Sequence, residues 1–386
     1  MDYVSASVGF RVRKALRYVH LYGVRRALVK IRGQFHMRRS YEALPENHVR
    51  NATGAHVGLI GCGNYSFSVI AHYLRKNHGT VIRACMDTNL NRAASMFEHY
   101  RASYYTDDAS ELIQDPRIDL LFIASNHASH AEYAIDALNA GKDVHIEKPH
   151  AVSMDQLRRL CRAAQQSTGR IVSIGFNRPG STIGLRIREL LDREDGTMMQ
   201  NWFIAGHEIE PDHWYFRDEE GGRILGNLCH WTDLSFQTTP AERRYPIRIT
   251  PTRSVKSDCD IAVSYVFGDG SIAAITFSAK GHAFEGVKER YAAHRGNTLL
   301  AMDDFQRLVA DQGSKKTVLS LAKRDHGHER SIVNSYRLSR DKNTPSHPID
   351  YIWNTGRLFL ATKLALDESR VVVVEAFDAA HDLTTT

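Results

Sequence analysis

The sequence predicts an α/β domain with a doubly wound parallel sheet, followed by an α+β domain with an open-faced, largely antiparallel sheet. Between residues 55 and 177, short apolar runs alternate with amphipathic helical segments, which is typical of parallel strands joined by helices. A glycine-rich turn follows the first apolar run. After residue 178, alternating apolar and polar residues separated by turn signals replace this pattern and indicate antiparallel strands.

Length and composition limit the class of protein. The 386 residues are enough for two domains, and 42% hydrophobic with 24% charged residues is typical of a soluble globular protein. We find no apolar run of the length that predicts a membrane-spanning helix, and no secretory signal. The five cysteines form no CxxC pair, which argues against a disulfide framework or a zinc knuckle. We therefore expect a cytoplasmic protein.

The positive charge is concentrated at the N-terminus. Residues 1–54 carry a net charge of +8, whereas the rest of the chain carries −2. From Phe10 to Ser40 there are ten Lys or Arg residues and no acidic residue. The sequence therefore predicts a basic N-terminal extension, hereafter the leader, on a nearly neutral body.

The leader has the apolar spacing of two short helices. Apolar residues recur at helical intervals on both sides of Gly23: Val12, Leu16 and Val19, then Val24, Leu28, Ile31 and Phe35. Three roles remain open for these basic amphipathic helices. They pack on the body or on a sister subunit, or residues 10–40 lie on an anionic membrane surface. Nucleic-acid binding is the least favoured role.

The first domain is predicted over residues 55–177. Its strands are expected in five apolar runs, at 57–61, 81–87, 119–125, 143–149 and 171–177. Helices are expected in the amphipathic segments between them, at 66–77, 130–141 and 154–166. The last of these helices opens with a capping-box pattern, Ser153 followed by Gln156.

The second domain is predicted over residues 178–347. Strands are expected at 246–253, within 260–281 and at 298–305, with Gly268-Asp269-Gly270 forming a hairpin turn. Residues 348–386 form a separate C-terminal region. Its segment 348–365 is helical in pattern and is expected to pack back on the first domain.

The glycine-rich turn is a candidate dinucleotide site. Gly61 allows a tight turn after the first strand, and Gly63 lets the backbone approach a pyrophosphate at the N-terminus of the following helix. Ser66 takes the place of the third glycine of the fingerprint and is small enough for close packing. Asn64 and Tyr65 complete the expected contacts.

Asp87 indicates which dinucleotide binds. It ends the second strand, 21 positions after Ser66. A carboxylate there accepts hydrogen bonds from ribose hydroxyls and repels a 2′-phosphate. The sequence therefore predicts NAD rather than NADP. The alternative is a glycine turn in an α/β protein that binds no dinucleotide.

A lysine ends a later strand of the same sheet. In Glu147-Lys148-Pro149, the strand ends where ligands of open parallel sheets bind. We expect Glu147 and Lys148 to face the cofactor crevice, with Lys148 stabilising a developing alkoxide and its pKa lowered by burial. The alternative is a solvated lysine at a strand end.

Together these motifs resemble the glucose–fructose oxidoreductase and inositol dehydrogenase (Gfo/Idh/MocA) family. The resemblance rests on GCGNYS at 61–66, Asp87 and HIEKP at 145–149, and it extends over about residues 55–370. It implies a Rossmann domain that binds NAD, and a C-terminal sheet domain that binds substrate and often mediates oligomers. It also implies chemistry on sugars, inositols or nucleotide sugars. EEGGRILGNLCHWTDL and neighbouring segments resemble a subgroup from bacterial polysaccharide loci, sometimes one half of bi-domain oxidoreductases.

The resemblance assigns a role to His230. The family pairs the histidine at this position with the EKP lysine, Lys148, as a proton relay. Many members carry Asp four positions before it, where this chain has Gly226. The subgroup commonly has Glu at the position of Asn227. These differences are expected to weaken or reroute the proton relay. The alternative for His230 is a histidine that packs in the core.

A second histidine lies upstream in PDHW. Asp212, His213 and Trp214 match the PxxHW pattern of the subgroup. His213 and Trp214 are expected to stack on and hydrogen-bond a sugar ring, and Asp212 is a candidate for the missing carboxylate. The alternative is a turn held by packing of the tryptophan.

Two strand ends supply further candidates. Ser125, Asn126 and His130 follow the strand at 119–125, where the family places groups near the nicotinamide. Asn177 and Arg178 follow the strand at 171–177, and Arg178 is expected to hold a substrate carboxylate or phosphate. The alternative for His130 is a role in packing of its helix.

No metal site is predicted. The segment Asp325-His326-Gly327-His328 contains possible ligands, but a solvated turn is favoured. The chain is expected to be an NAD-dependent oxidoreductase of a sugar or nucleotide sugar in polysaccharide or glycoconjugate metabolism, and a homodimer or homotetramer. The alternatives are a redox-neutral epimerase, lyase or glycosidase that retains NAD, and a non-enzymatic sensor or assembly subunit that holds the cofactor.

Overall fold

A computed structural model describes two sheets connected by helices. It covers residues 5–47, 54–207, 209–210, 212–254, 260–281, 284, 286–341 and 347–384. Within these residues, no helix is both long and apolar enough to cross a membrane. Cys259 and Pro211, which belong to the cysteine set and the PDHW pattern, lie outside the described residues.

The leader forms the two predicted helices. They are α1 (Val8–Tyr22) and α2 (Val24–His36), separated by Gly23, whose φ of 87° is unfavourable for other residues. Ser7 caps α1 by accepting a hydrogen bond from the backbone N–H of Phe10.

The first sheet is parallel and doubly wound. Its strands, in the spatial order β3-β2-β1-β4-β5-β6, are β1 (Val57–Ile60), β2 (Ile82–Met86), β3 (Tyr104–Thr106), β4 (Leu120–Ile123), β5 (Asp143–Ile146) and β6 (Val172–Ile174). The order reverses between β1 and β4, so their carboxyl ends border a crevice in which ligands of such sheets bind. This confirms the predicted α/β class.

Helices cover both faces of this sheet. They are α3 (His72–His78), α4 (Leu90–Tyr100), α5 (Ala109–Gln114), α6 (His127–Asn139) and α7 (Met154–Gln166). A π turn at Ser66–Ala71 precedes α3, and α6 begins three residues before the predicted position. The predicted capping box is present, since Ser153 Oγ accepts from Gln156 N and Gln156 Oε1 accepts from Val152 N.

The second sheet has nine strands in the order β14-β13-β12-β11-β7-β10-β9-β8-β15. All neighbours are antiparallel except β7 and β10. The strands are β7 (Met198–Ala205), β8 (Ile247–Arg253), β9 (Ile261–Val266), β10 (Ile272–Ser278), β11 (Lys288–Arg295), β12 (Thr298–Asp303), β13 (Arg307–Gln312), β14 (Lys315–Ser320) and β15 (Val372–Val374). The predicted hairpin joins β9 and β10. The sequence did not predict five strands of this sheet, namely β7, β11, β13, β14 and β15.

Helices join the two sheets. They are α8 (Thr182–Leu191), α9 (Cys229–Thr238), α10 (His328–Arg340), α11 (Ile349–Asp367) and a final short α12 (Ala379–Asp382). Helix α11, predicted over 348–365, packs on α7 of the first domain and on β8 of the second. His150 on the first domain contacts it directly, with Nε2 2.9 Å from the carbonyl oxygen of Ile352.

One face of the second sheet is buried and the other is open. On β7, Trp202 and Ile204 are fully buried, whereas Met199 and Phe203 are about half exposed. This alternation is that of a strand with one face against a core. The sheet packs on helices α8 and α11, and residues between β7 and β8 line the cleft next to the first domain.

Candidate active site

The glycine turn has the shape of a dinucleotide cradle. Gly61 has a φ of 90°, and a Cβ atom there would lie 2.5 Å from the carbonyl oxygen of Ala124, so only glycine fits. At Gly63 a Cβ atom would meet nothing within 4 Å. The space beside Gly63 is therefore open, as the approach of a pyrophosphate requires.

The next three residues of the turn serve packing and position. Ser66 is 1% exposed, consistent with its expected role as a small residue in place of glycine. The carbonyl oxygen of Asn64 accepts a hydrogen bond from Ser68 Oγ at 2.7 Å. Burial and the nearby Glu147 carboxylate raise the pKa of Tyr65, so its hydroxyl stays protonated.

Asp87 closes the turn from the end of β2. Its Oδ2 accepts from the backbone N–H of Cys62 at 2.8 Å, and its Oδ1 accepts from that of Asn89 at 2.9 Å. A carboxylate has about four acceptor positions, so both oxygens retain capacity for ribose hydroxyls. Together with the open space at Gly63, this arrangement fits a bound dinucleotide.

A cleft of about 840 Å³ extends from Asp87 to Lys148. It is lined by predicted residues from both domains: Gly61, Gly63, Asn64, Tyr65, Asp87, Ser125, Asn126, His130, Glu147, Lys148, His213 and Trp214. Residues that sequence reasoning missed line it as well, among them Arg92, His127, Tyr215 and Glu220.

Lys148 links the two domains within this cleft. Its Nζ donates to the backbone carbonyl of Gly226 at 2.6 Å. Burial by itself would lower the pKa of Lys148, but its electrostatic interactions with Tyr215, Cys229 and Glu147 outweigh burial and the net pKa is raised. Burial thus acts in the expected direction, but the net shift of this pKa is upward. Lys148 is therefore an ammonium and acts as a hydrogen-bond donor.

Glu147, which precedes Lys148, is buried and held by a contact with His145. It is 5% exposed, and its Oε1 lies 3.1 Å from Nε2 of the fully buried His145. A Cβ atom at position 175 would lie 2.7 Å from the Glu147 carboxylate, which requires Gly175. Glu147 therefore fixes the strand end that carries Lys148.

Gly226 is glycine because two rings approach it. An added Cβ atom would lie 2.7 Å from both His127 Cε1 and Tyr215 Cε2. It belongs to a π turn (Ile224–Leu228) directly before α9, and such turns are frequent at functional sites. An aspartate here, as in many relatives of the resembled family, would overlap these rings.

Two buried polar atoms near Gly226 lack hydrogen-bond partners among the described residues. They are Oδ1 of Asn227 and Nδ1 of His230. Buried polar atoms are normally satisfied, so both atoms are available to a ligand, although neither residue is among those that line the cleft. Burial, with the positive charges of Arg178 and Lys148, holds the pKa of His230 well below its usual value. His230 is therefore a neutral imidazole.

Asp233 anchors the helix that carries His230. Its Oδ1 accepts from the hydroxyls of Tyr351 at 2.8 Å and Thr355 at 3.0 Å, and its Oδ2 accepts from Gln237 at 2.8 Å. Burial raises the pKa of Asp233 to about 6. The carboxyl thus joins α9 to α11 and fixes the orientation of the helix.

The residues after β4 are tied to a buried carboxylate. Asn126 Nδ2 donates to Glu220 Oε1 at 2.7 Å, and the backbone N–H of Ala128 donates to Glu220 Oε2 at 3.2 Å. Ser125 Oγ lies 2.7 Å from Ser129 Oγ. Glu220 lies next to a glycine pair in EEGG, a signal that could have marked a buried carboxylate.

His130 bridges two strand ends. Its Nδ1 lies 2.8 Å from the carbonyl oxygen of Pro149 and its Nε2 lies 3.3 Å from that of Ser125. Both ring nitrogens thus face backbone carbonyls. His130 fixes the turn after Lys148, which agrees with the alternative of a packing role.

The PDHW segment places rings over the cleft. His127 lies 4.8 Å from Trp214 and 4.7 Å from Tyr215 between ring centroids, in tilted or edge arrangements. His213 caps the following turn by accepting from the N–H of Tyr215 at 3.3 Å. Asp212 is exposed and is not among the residues that line the cleft.

Asn177 and Arg178 lie in a buried polar cluster. Arg178 Nε donates to Glu289 Oε1 at 2.5 Å, and Asn177 Nδ2 donates to the carbonyl of His326 at 2.6 Å. Nε2 of His326 lies 3.0 Å from the other Glu289 oxygen. The positive charge of Arg178 is therefore already paired within the protein.

The segment 325–328 is partly buried and not the fully solvated turn that was expected: Gly327 is buried, and the other three residues have intermediate exposure. Asp325 accepts from the N–H groups of Thr182 and Gly327 at 2.9 and 2.8 Å. A Cβ atom at Gly327 would lie 2.2 Å from the carbonyl oxygen of Asn177. The turn is partly shielded from solvent because it packs against the loop after β6.

The leader packs across both domains. The backbone N–H of Arg324, in the second domain, donates to the carbonyl of Leu21 at 2.9 Å. Nε2 of His36 lies 2.7 Å from the carbonyl oxygen of Cys62 in the glycine turn, and the ring stacks on Phe67. Of the roles left open for the leader, packing on the body is therefore observed.

Comparison with known proteins finds sequence similarity in the first domain. Residues 55–176 match the model of an oxidoreductase family with an NAD-binding Rossmann fold. Oxidoreductase P35 of Formosa agariphila is 30% identical over 135 residues, which are 35% of this chain and 42% of that protein. Inositol 2-dehydrogenase of Klebsiella pneumoniae is 30% identical over 141 residues, 36% of this chain and 42% of that protein. The match thus spans less than half the length of these two relatives.

The similarity to solved structures extends over both domains. Levoglucosan dehydrogenase, solved with NADH and levoglucosan, superimposes with a TM-score of 0.69 at 16% identity, over 83% of this chain and 99% of that one. At this identity the likeness shows the fold. It confirms the predicted combination of a Rossmann domain and a mostly antiparallel sheet domain.

Proposed function

We propose, from the premise that the chain belongs to the Gfo/Idh/MocA oxidoreductase family through residues 55–176, that it is an NAD-dependent oxidoreductase. It transfers hydride between the nicotinamide and a hydroxyl or ketone of a sugar or nucleotide sugar. One observation carries this proposal: the Lys148 ammonium, held by Gly226, borders the cleft that begins at the open side of Gly63.

NAD, when bound, supplies the carbon that accepts or donates hydride. Lys148 donates a hydrogen bond to the reacting oxygen and stabilises the negative charge that develops there. His230, a neutral imidazole whose Nδ1 has no partner in the part of the chain that the structure describes, accepts the hydroxyl proton. His213 is the second candidate for this transfer. Asp212, exposed beside it, is the least supported of the proposed catalytic residues.

The substrate-binding residues are proposed on the second domain. Trp214 offers a ring face to a sugar, and the unpartnered Asn227 Oδ1 accepts from a hydroxyl. Asn177 and Arg178 contribute through the cluster with Glu289. A polyol-like substrate is supported by two relatives, one named for inositol and one solved with levoglucosan. A role in polysaccharide or glycoconjugate metabolism is part of the proposal.

A redox-neutral reaction is the second candidate. It is favoured by Gly226 and Asn227, which lie four and three positions before His230. Relatives of the resembled family carry a carboxylate at one or the other of these positions, and this chain carries none there. An enzyme of this kind oxidises its substrate transiently and reduces it again, so that no NADH accumulates.

Two measurements test the function. Mass spectrometry of the native protein is expected to find NAD(H) retained, and a panel of inositols, sugars and nucleotide sugars is expected to contain a substrate that generates absorbance at 340 nm with NAD⁺. Conversion of substrate without NADH formation would support the redox-neutral reaction instead. Recovery of NADP(H) would contradict the role of Asp87.

We further propose a homo-oligomer that forms through the open face of the second sheet. Large apolar side chains on this face are about 40–54% exposed on neighbouring strands: Met199, Phe203, Ile272 and Leu299. A second copy of the same face would bury them symmetrically. Light scattering is expected to give the mass of a dimer or tetramer, and Phe203→Asp is expected to shift it toward the monomer.

The outer side of the leader supports contact with an anionic membrane. Its apolar residues are about half or more exposed, namely Val12, Leu16, Val24, Leu28 and Phe35, and Arg13, Arg25 and Arg32 beside them are exposed. We propose a cytoplasmic protein that binds such surfaces reversibly. Co-sedimentation with anionic liposomes is expected for the full chain and not for Leu16→Asp/Leu28→Asp. Equal sedimentation of both would contradict this role.

A further inference from the structure

The end of the leader packs against the glycine turn of the cofactor site. His36, the last residue of α2, is 4% exposed, and its Nε2 lies 2.7 Å from the carbonyl oxygen of Cys62. Its Nδ1 lies 2.9 Å from Ser95 Oγ on α4. Because a carbonyl oxygen only accepts, Nε2 carries the hydrogen and Nδ1 accepts from the serine hydroxyl. His36 therefore connects the turn to α4 through two hydrogen bonds.

The contact with Cys62 fixes a peptide group that a dinucleotide needs. The carbonyl of Cys62 and the N–H of Gly63 belong to one planar peptide, so holding the carbonyl also sets the direction of the N–H. On the other side, the N–H of Cys62 donates to Asp87 Oδ2 at 2.8 Å. Backbone N–H groups at such turns bind the pyrophosphate. The leader and Asp87 together fix both peptide groups of Cys62.

Helix α2 is also packed closely on the residues that follow the turn. A Cβ atom at Gly33 would lie 2.8 Å from Asn64 Oδ1 and 3.4 Å from Ser68 Cβ, so a larger residue there would push α2 away from the turn. Nearer the start of the helix, Arg26 Nη1 donates to the carbonyl of Ser68 at 2.5 Å. The glycine turn and the leader are therefore packed as one unit.

The residues after α2 run along the adenosine side of the cleft. Met37 lines the cleft together with Asp87, the residue expected to bind the ribose hydroxyls of the adenosine. The N–H of Tyr41 donates to Asn91 Oδ1 at 3.0 Å, which holds this segment against the start of α4. We call residues 36–41 the strap. It borders the half of the cleft that is expected to receive the adenosine.

We propose that the strap is part of the cofactor site and slows the release of NAD. His36 is a positioning residue that holds the glycine turn in the conformation that binds the pyrophosphate. Met37 forms a wall of the cleft beside the adenosine ribose. The inference goes beyond the proposed function, because it concerns how long the cofactor stays bound and applies whether or not hydride is transferred.

Stopped-flow release of NADH from the full chain tests the role of His36. Bound NADH is displaced by excess NAD⁺, and the loss of its fluorescence gives the dissociation rate. His36→Phe keeps a ring against Phe67 but removes the donor to Cys62, and it is expected to release NADH about tenfold faster. His36→Gln, whose amide can replace the Nε2 donor, is expected to stay within about threefold of wild type.

His99→Phe is the matched control. His99 contacts the same Phe67 ring, with centroids 4.7 Å apart, but it is exposed and lies on α4. The same exchange of imidazole for phenyl is expected to leave the rate of NADH release within about twofold of wild type. Melting temperatures check that each variant is folded.

Binding of ADP-ribose tests the role of Met37. This ligand contains the adenosine half of the cofactor, including the ribose that Asp87 is expected to bind. Met37→Ala removes apolar surface from the wall of the cleft and is expected to weaken the binding of ADP-ribose by about threefold or more. Calorimetry on the full chain measures the change.

Three results would overturn the inference: NADH release from His36→Phe within about twofold of wild type, an equal acceleration in His99→Phe, or unchanged affinity of Met37→Ala for ADP-ribose. Wild type that binds no NADH would overturn it together with the dinucleotide site. None of these measurements needs a substrate. A failure of hydride transfer would therefore refute the proposed function and leave the strap in its role, whereas normal turnover with unchanged release rates would do the reverse.

Discussion

The ammonium of Lys148 donates to the backbone carbonyl of Gly226 at 2.6 Å. This contact joins the end of β5, in the first domain, to the π turn that leads into the helix of His230. Lys148, the proposed hydrogen-bond donor to the reacting oxygen, is thereby held against the turn that precedes His230, the proposed proton acceptor. Since a carbonyl needs the lysine to be a donor, the contact also agrees with the raised pKa of Lys148.

Lys148→Ala is expected to lower kcat by about 10²–10⁴, because the developing alkoxide loses its hydrogen-bond donor. The Kd of NAD should stay within about twofold, since the glycine turn and Asp87 are unaltered. Steady-state kinetics and fluorescence titration with NADH measure the two effects. A variant that turns over normally would refute the assigned role.

Gly63→Ala and Gly226→Ala are expected to have opposite effects on stability and on NAD binding. An added methyl meets nothing within 4 Å at Gly63, but lies 2.7 Å from the His127 and Tyr215 rings at Gly226. Gly226→Ala is expected to lower the free energy of unfolding by about 1–3 kcal/mol. Gly63→Ala should leave stability unchanged and weaken NAD binding, because the methyl occupies the space of the pyrophosphate. Denaturant titration and NADH binding distinguish them, and the reverse pattern would contradict the site.

Asp87→Ser is expected to shift cofactor preference toward NADP. The carboxylate that repels a 2′-phosphate is removed, while the Arg92 guanidinium, which lines the same end of the cleft and has an unpartnered Nε among the described residues, remains. We expect the ratio of affinities for NAD and NADP to change by about tenfold or more. If wild type already prefers NADP, the Asp87 carboxylate does not select against the 2′-phosphate.

Asp233→Asn is expected to remove a pH-dependent contribution to stability. Burial raises the pKa of Asp233 from 3.8 to about 6, so folding favours the protonated carboxyl. That contribution is fully present below pH ~4 and is lost as pH rises through about 6. Relative to Asp233→Asn, wild type should therefore gain about 2 kcal/mol in unfolding free energy between pH 7 and pH 4.5. A difference independent of pH would contradict the shifted pKa.

The first domain was largely predictable because its signals are local. The apolar run before Gly61 and the carboxylate at Asp87 each depend on a few neighbouring residues. The π turns at Ser66–Ala71 and Ile224–Leu228 were not predicted, because they arise from packing between distant segments. Gly226 is an example: its need for glycine comes from His127 and Tyr215.

The ion pairs of the site could not be predicted from the sequence. Arg178 was expected to hold a substrate anion, but no sequence signal indicates that Glu289, 111 positions away, lies against it. Periodicity located the leader helices and could not tell which side faces the body. The outward position of Leu16 and the inward position of Lys30 depend on what the leader packs against.

Deuterium transfer from NADH labelled at C4 is the most direct test of hydride transfer at Lys148. The labelled cofactor is incubated with a panel of keto-sugars, inosose and oxidised nucleotide sugars, and the products are analysed by mass spectrometry. Wild type is predicted to place deuterium on the newly formed CH–OH carbon of at least one product, and Lys148→Ala, with NADH binding intact, to do so at least about a hundredfold more slowly. Deuterium transfer that persists in the variant at the wild-type rate, or wild type that binds NADH and labels no product, would contradict hydride transfer at this lysine.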